Sequence, residues 1–220
     1  GCHALGATLG GRAVGTLADL TVFSFHPVKH ITTGEGGMIM TDRAELAAAM
    51  RVFRTHGITA DAAAREAGGT WFYEMRELGY NYRITDIQCA LGLSQMRRMI
   101  PWLARRRALA AAYDDAFADT PAIRPLGRRA GLEHAWHLYV VRVDDRRRIF
   151  EGMRAAGIGV NVHYVPVHLH PYYRDHLGTA PGLCPVAEAA YEELLSLPMH
   201  QGLTDAQQAR VVETLRGLTG

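Results

Sequence analysis

The sequence predicts an α/β protein of two lobes, and three features carry the prediction. Over the first 42 residues, short apolar and β-branched runs alternate with glycine-containing turns. Between Thr85 and Asp119 the apolar spacing is helical. After Pro121 strands and helices alternate in an α+β texture. A length of 220 residues suits one large domain or two small ones. The boundary is expected within residues 100–120, giving domains 1–110 and 111–220.

The elements follow in order. Residues 20–25 read as a buried strand and 37–41 as another. Asp42 is placed to cap a helix, with Glu45 closing a capping box and apolar residues running on to about Phe53. From Thr55 to Tyr82, glycines and scattered aromatics predict a long irregular segment, and loops of that length usually carry function or motion. Thr85 and Asp86 open a helix that passes through Ile87, Ala90, Leu91 and Leu93 to Met99. Pro101 is expected to break or kink it, and a further helical stretch reaches about Asp119. Beyond Pro121, residues 138–143 read as a strand and 145–156 as a helix ended by Gly157. Residues 160–167 read as a strand, and 185–195 and 204–218 as helices.

Composition excludes several functional classes. The chain is 48% hydrophobic and 21% charged, as in ordinary globular proteins. No apolar run approaches the roughly 18–20 residues a bilayer span needs, so no membrane partner is expected. With 24 basic against 22 acidic residues there is no basic excess of the kind nucleic-acid binding calls for. Cys2, Cys89 and Cys184 are few and lack metal-ligand spacing, which suits reduced thiols in the cytoplasm. The chain opens Gly-Cys-His without a methionine or a signal peptide. The expectation is that an N-terminal part of a longer protein is missing.

Of the 24 basic residues, 23 are arginine, and the sole lysine is Lys29. A guanidinium stays protonated and is a poor nucleophile, so arginine cannot replace a lysine whose neutral amine is needed. Lys29 lies in Ser24-Phe25-His26-Pro27-Val28-Lys29, just past a predicted core strand, with Thr33-Gly34-Glu35-Gly36-Gly37 returning the chain. Partial desolvation there favours the neutral amine, the form that attacks an aldehyde. The hydroxyl of Ser24 suits a phosphate, and the glycines let main chain approach a ligand. A hairpin with a solvated lysine at its turn fits the same spacing.

Other constellations point to structure rather than chemistry. His163, His168 and His170 cluster, but no cysteine or carboxylate stands at ligand spacing beside them, so no metal is expected. Glu133 precedes His134, so the His134–His137 pair is not a zinc-protease motif. The arginine triplets at 105–107 and 146–148 read as solvated helix faces. The glycine-framed serine elbow of α/β-hydrolases is absent from the sequence.

The segments 24–29 and 33–37, together with His3-Ala4-Leu5-Gly6-Ala7, Gly79-Tyr80-Asn81-Tyr82-Arg83-Ile84-Thr85-Asp86-Ile87-Gln88 and the stretch 157–170, resemble the DegT/DnrJ/EryC1/StrS sugar aminotransferases in the family's own order. The resemblance spans nearly the whole chain. His26 to Lys29, residues 78–88 and residues 162–168 look most like the PseC-type subgroup, the UDP-4-amino-4,6-dideoxy-N-acetyl-β-L-altrosamine transaminases. The resemblance implies fold type I of the pyridoxal 5′-phosphate (PLP) enzymes, with 1–110 as the C-terminal part of the large domain and 111–220 as the small α+β domain. It implies that Lys29 holds PLP as a Schiff base and shuttles the proton during transfer, and that Ser24 binds the cofactor phosphate. Asn81 and Arg83 would reach the partner's cofactor phosphate across a homodimer interface, Asn81 being favoured. His163 and Tyr164 would line the nucleotide-sugar pocket. The implied reaction moves an amino group from an amino acid, L-glutamate by analogy, to a UDP-linked 4-keto-6-deoxy sugar for pseudaminic acid or another surface glycan. Family relatives acting on other nucleotide sugars, dehydratases, or a non-catalytic truncated or partner subunit are the alternatives. Relatives with histidine at the lysine position are disfavoured by Lys29. The aspartate that pairs with the pyridine nitrogen in the family would lie upstream of Gly1, as would its phosphate loop and stacking aromatic. The 220-residue piece alone is therefore expected to be inactive.

Overall fold

A computed structural model describes residues 1–59 and 62–220. Residues 60 and 61, inside the expected 55–82 loop, lie outside the described residues. In chain order the elements are β1 (Thr8–Leu9), β2 (Arg12–Ala13), β3 (Thr21–Ser24), β4 (Gly37–Met40), α1 (Ala44–Phe53), α2 (Ala62–Ala67), α3 (Asp86–Met96) and α4 (Met99–Phe117). There follow β5 (Ile123–Pro125), β6 (Leu132–Glu133), β7 (Tyr139–Val143), α5 (Arg146–Ala155), α6 (Pro171–Leu177), α7 (Pro185–Glu193), β8 (Leu194–Leu197) and α8 (Asp205–Thr219). The chain forms two compact units: Gly1–Ile100 with Gly131–His134, and Pro101–Ala130 with Ala135–Gly220.

In the first unit β3 and β4 form an antiparallel hairpin in the register Thr21↔Met40 to Ser24↔Gly37. Phe23, Phe25, Ile31 and Thr33 are buried on it, whereas all of β4 is exposed. β1 pairs antiparallel with both β2 and β6, which is how Gly131–His134 joins this unit.

The second unit is built on an antiparallel sheet in the order β5-β7-β8, with Ile123↔Val143, Tyr139↔Leu197 and Val141↔Leu195 opposite one another. Tyr139, Val141 and Val143 alternate inward along β7, as the two-residue strand period demands. Leu109, Tyr113 and Phe117 recur on one face of α4 at helical spacing and pack on that sheet with Ile149 and Met153 of α5 and Val211 and Leu215 of α8. The Tyr113 ring lies 4.7 Å from Tyr139 and stacks on Phe117, and its hydroxyl donates to the Pro198 carbonyl at 3.0 Å.

Several local expectations are corrected. Asp42 does not cap α1. Thr41 Oγ1 accepts the Arg43 N–H at 3.1 Å, a local side-chain turn that sets Arg43 as the flanking residue, and Glu45 pairs with the Arg43 guanidinium instead of closing a box. Pro101 neither ends nor kinks a helix, because the break falls ahead of α4. The proline sits in the first turn of α4, where a missing N–H costs nothing. Thr85 does cap α3, in a capping box with Gln88.

Residues 160–167 do not form a strand. Asn161 pairs with Ser196 in an isolated bridge, and its side chain then takes the Val162 N–H at 2.8 Å, ending the ladder. Leu194 and Leu195, read as the end of a helix, instead open β8. A short apolar run fits either period, and pairing with β7 decides the outcome. The short helix α6 went unread although its signals are present, Pro171 at the start and Gly178 in the left-handed region (φ 65°) at the end.

Candidate functional site

Lys29 stands at the end of a four-residue turn. Its N–H donates to the His26 carbonyl at 3.0 Å, with Pro27 in the second position, where its fixed φ favours the turn. The turn leaves β3 immediately after Ser24. Ser24 Oγ accepts the His26 N–H at 3.3 Å and still has its own hydroxyl proton to donate. Both Ser24 and Lys29 are partly exposed, while His30 and Ile31, next along the chain, are buried.

The returning strand is tied down on both sides. Phe25 O accepts from Thr33 N at 3.0 Å and from Thr32 Oγ1 at 2.9 Å. On α3, the Gln95 amide exchanges two bonds with the Thr32 backbone, at 3.1 and 2.8 Å, in the manner of a strand partner. Gln88 Nε2 donates to the Glu35 carbonyl at 2.9 Å. Gly92 allows the helix this approach, since a Cβ there would sit 3.0 Å from Thr33 Cγ2. Sequence reasoning missed these two glutamines. Their signal was the seven-residue spacing, which places both on one face of α3.

Asn81 and Arg83 are exposed and lie on a different support. Asn81 bridges to Thr55, Tyr80 N donates to Phe53 O at 2.7 Å, and Tyr82 N donates to Arg54 O at 3.0 Å. The rings of Tyr80 and Tyr82 stack at 5.1 Å beside Phe53. Two glycines permit the crossing. A Cβ on Gly57, whose φ is +71°, would fall 1.7 Å from Glu77 O, and one on Gly79 would fall 2.1 Å from Gly57 N. Gly57→Ala is therefore expected to cost at least about 2 kcal/mol. A fall in melting temperature together with faster proteolysis within residues 53–82 checks it, and an unchanged melting temperature contradicts it.

His163 and Tyr164 belong to the second unit. His163 Nδ1 lies 2.8 Å from Ser196 Oγ, and its ring meets the exposed Tyr164 ring edge-on at 4.6 Å. His168, buried in a single 3₁₀ turn, is 2.8 Å from Glu188 Oε1. Among the described residues no group of three or more histidine, cysteine, aspartate or glutamate side chains is placed to hold a metal ion. The arginines of residues 146–148 pair with Glu192, Glu151 and Asp145. Arg106 departs from the expected solvated face, being 3% exposed and bonded to main-chain carbonyls.

Glu188 anchors the loop before α7. Its carboxylate accepts the Gly182 N–H at 2.8 and 2.9 Å and the Cys184 N–H at 3.2 Å. The Gly182 bond foremost, and then His168, hold its pKa below the ordinary carboxylate range. A depressed pKa gives stabilisation that is present above the unfolded value and lost as pH falls through the folded one. Glu188→Gln is expected to speed amide exchange at Gly182 and Cys184 about tenfold at pH 7. That difference should vanish only at pH values below the ordinary carboxylate range, where the wild-type carboxyl also protonates. Equal exchange at pH 7 would contradict the anchoring role.

Comparison with known proteins places this geometry. The profile of the DegT/DnrJ/EryC1/StrS aminotransferase family matches residues 1–216. The spore coat polysaccharide biosynthesis protein SpsC of Bacillus subtilis is 37% identical over 98% of this chain and 58% of its own length. The UDP-4-amino-4,6-dideoxy-N-acetyl-β-L-altrosamine transaminase of Campylobacter jejuni is 36% identical over 97% of the chain and 56% of its own length. Among solved structures, the sugar aminotransferase Spr1654 of Streptococcus pneumoniae in its PMP form superposes with a TM-score of 0.92 at 35% identity, over 100% of this chain and 57% of that one. The chain thus spans somewhat more than half the length of the relatives it matches, and its fold is the corresponding part of fold type I.

Proposed function

The chain belongs to the DegT/DnrJ/EryC1/StrS aminotransferase family, and on that premise we propose that it serves PLP-dependent transfer of an amino group from an amino acid to a nucleotide-linked keto sugar. The finer reading is L-glutamate as donor and a UDP-linked 4-keto-6-deoxy sugar as acceptor, in pseudaminic acid or related surface-glycan synthesis in the cytoplasm. Similarity to the Campylobacter transaminase supports that substrate, while the similarity to SpsC, a spore coat polysaccharide biosynthesis protein, supports the broader reading of surface-glycan synthesis. No helix among the described residues is long and apolar enough to cross a membrane.

The chemistry of the residues present fits the cofactor. A primary amine is required for its aldehyde, and this chain has one lysine, partly exposed on a turn fastened at Phe25 and Thr32. Lys29 would hold PLP, with the Ser24 hydroxyl donating to its phosphate. When bound, the cofactor supplies the sink for the electron pair released as the donor's Cα proton leaves. The Lys29 amine then takes that proton and returns it, acting as general base and acid at one atom. We assign Asn81 and Arg83 to the partner's cofactor phosphate in a homodimer. Their exposure and the apolar side chains exposed nearby in sequence, Trp71, Ile87 and Leu93, support that assignment.

The lone amine at that turn carries the proposal. Incubation with PLP, borohydride reduction and peptide mass analysis should place a pyridoxyl group on the Lys29 peptide. In the full-length parent, an adduct confined to the N-terminal amine would overturn the reading.

A further inference from the structure

We propose that Gln95 is a positioning residue for Lys29, its carboxamide fastening to α3 the loop that carries the amine. The inference rests on the reading of Lys29 as the cofactor lysine and extends it to a residue on a helix distant in sequence. The loop leaves β3 after Ser24 and returns at Thr32. It is closed on Phe25, whose carbonyl accepts from Thr33 N at 3.0 Å and from Thr32 Oγ1 at 2.9 Å. Thr32 Oγ1 also accepts the Gly34 N–H at 2.9 Å, so this hydroxyl joins the outgoing and returning chain. The Thr32 main chain is then met by one side chain. Gln95 Oε1 accepts the Thr32 N–H at 3.1 Å, and Gln95 Nε2 donates to Thr32 O at 2.8 Å.

A carboxamide offers an acceptor and a donor on one planar group, as a peptide unit does. An ionised glutamate would only accept, and leucine would do neither. Two parallel bonds to one plane fix orientation as well as distance. Gly92, on the turn of α3 before Gln95, lets the helix come this close, and Gln88 Nε2 holds the same returning chain at Glu35 O. At the other end, pairing with Gly37 sets Ser24 in the hairpin. With both ends of the loop held, the Lys29 backbone keeps a set place relative to the Ser24 hydroxyl, which limits where its flexible amine can reach. A displacement on the order of 1 Å is enough to slow a reaction that needs aligned groups.

The lone lysine makes the test specific. Lysine-selective nitrogen-15 labelling of the 220-residue chain gives one backbone signal, the Lys29 N–H. Its hydrogen exchange is expected to be about tenfold faster in Gln95→Leu than in wild type. Gln95→Glu should resemble Gln95→Leu near pH 7 and return toward wild type, read at the same pH, at about pH 4, where a protonated carboxyl both donates and accepts. The amine itself is read in the full-length parent by reductive labelling with two aldehydes. Formaldehyde needs only an accessible amine and should label Lys29 equally in wild type and Gln95→Leu. Labelling by PLP needs the amine in place and should be about tenfold slower in Gln95→Leu. Unchanged Lys29 exchange in Gln95→Leu, no effect of pH on Gln95→Glu, or equal labelling by PLP would each overturn the positioning role. Wild-type labelling by PLP confined to the N-terminal amine would instead overturn Lys29 as the cofactor lysine, whatever the exchange shows of Gln95 and the loop.

Discussion

Replacing Lys29 with alanine in the active enzyme is expected to lower amino transfer by at least about a thousandfold, the scale set by losing nucleophile and general base together. Lys29→Arg should fare no better, because a guanidinium remains protonated and cannot pass the proton. The fold should tolerate both changes. The turn is held by the Lys29 N–H to the His26 carbonyl and by Thr32 and Thr33 on Phe25, none of which uses the lysine side chain. Turnover measured beside a melting curve separates the two effects. Activity within tenfold of wild type at unchanged stability would remove Lys29 from the chemistry. Among these 220 residues no other lysine offers a substitute amine.

The same turn shows what a sequence can and cannot disclose. The turn is legible in the sequence because it follows a strand read correctly in type and place, and Ser24 and Lys29 stand at its two ends. What local pattern could not reveal is the support. Gln88 and Gln95 act through the backbone of a loop some 50 to 60 residues earlier, and no periodicity encodes which carbonyl a side chain will meet. β8 was lost because its apolar run suits helix or strand equally until β7 lies beside it. The 160–167 segment was misread because Asn161 satisfies a neighbouring amide with its own side chain, a competition that hydrophobic alternation does not register. Arg106 was misread because an arginine triplet looks uniform, while a helix sends its three members in different directions.

The buried Arg106 is expected to carry a large stability effect. Arg106→Met is expected to cost about 3–5 kcal/mol, comparable to removing one member of a buried ionic group. Nη1 donates to the carbonyls of Trp136 at 2.9 Å, Met199 at 3.0 Å and His137 at 3.4 Å, and Nη2 donates to Gln201 Oε1 at 3.1 Å. One guanidinium thus satisfies two segments that flank the sheet, residues 136–137 ahead of β7 and 199–201 after β8. Burial lowers its pKa to about 10, so it stays charged at neutral pH and donates throughout the working range. Methionine matches the length and the apolar stem but takes the guanidinium's donors away from those oxygens, and that loss of buried hydrogen bonding sets the cost. Arg106→Lys should fall between, since an ammonium has three donors but lacks the planar fork. Arg147→Met, at a side chain 90% exposed on α5, should lie within about 0.5 kcal/mol of wild type. Urea unfolding followed by circular dichroism compares the three. A cost below about 1 kcal/mol for Arg106→Met would mean that water replaces the guanidinium at those carbonyls, and the second unit would then owe its stability to the Tyr113 and Tyr139 core alone.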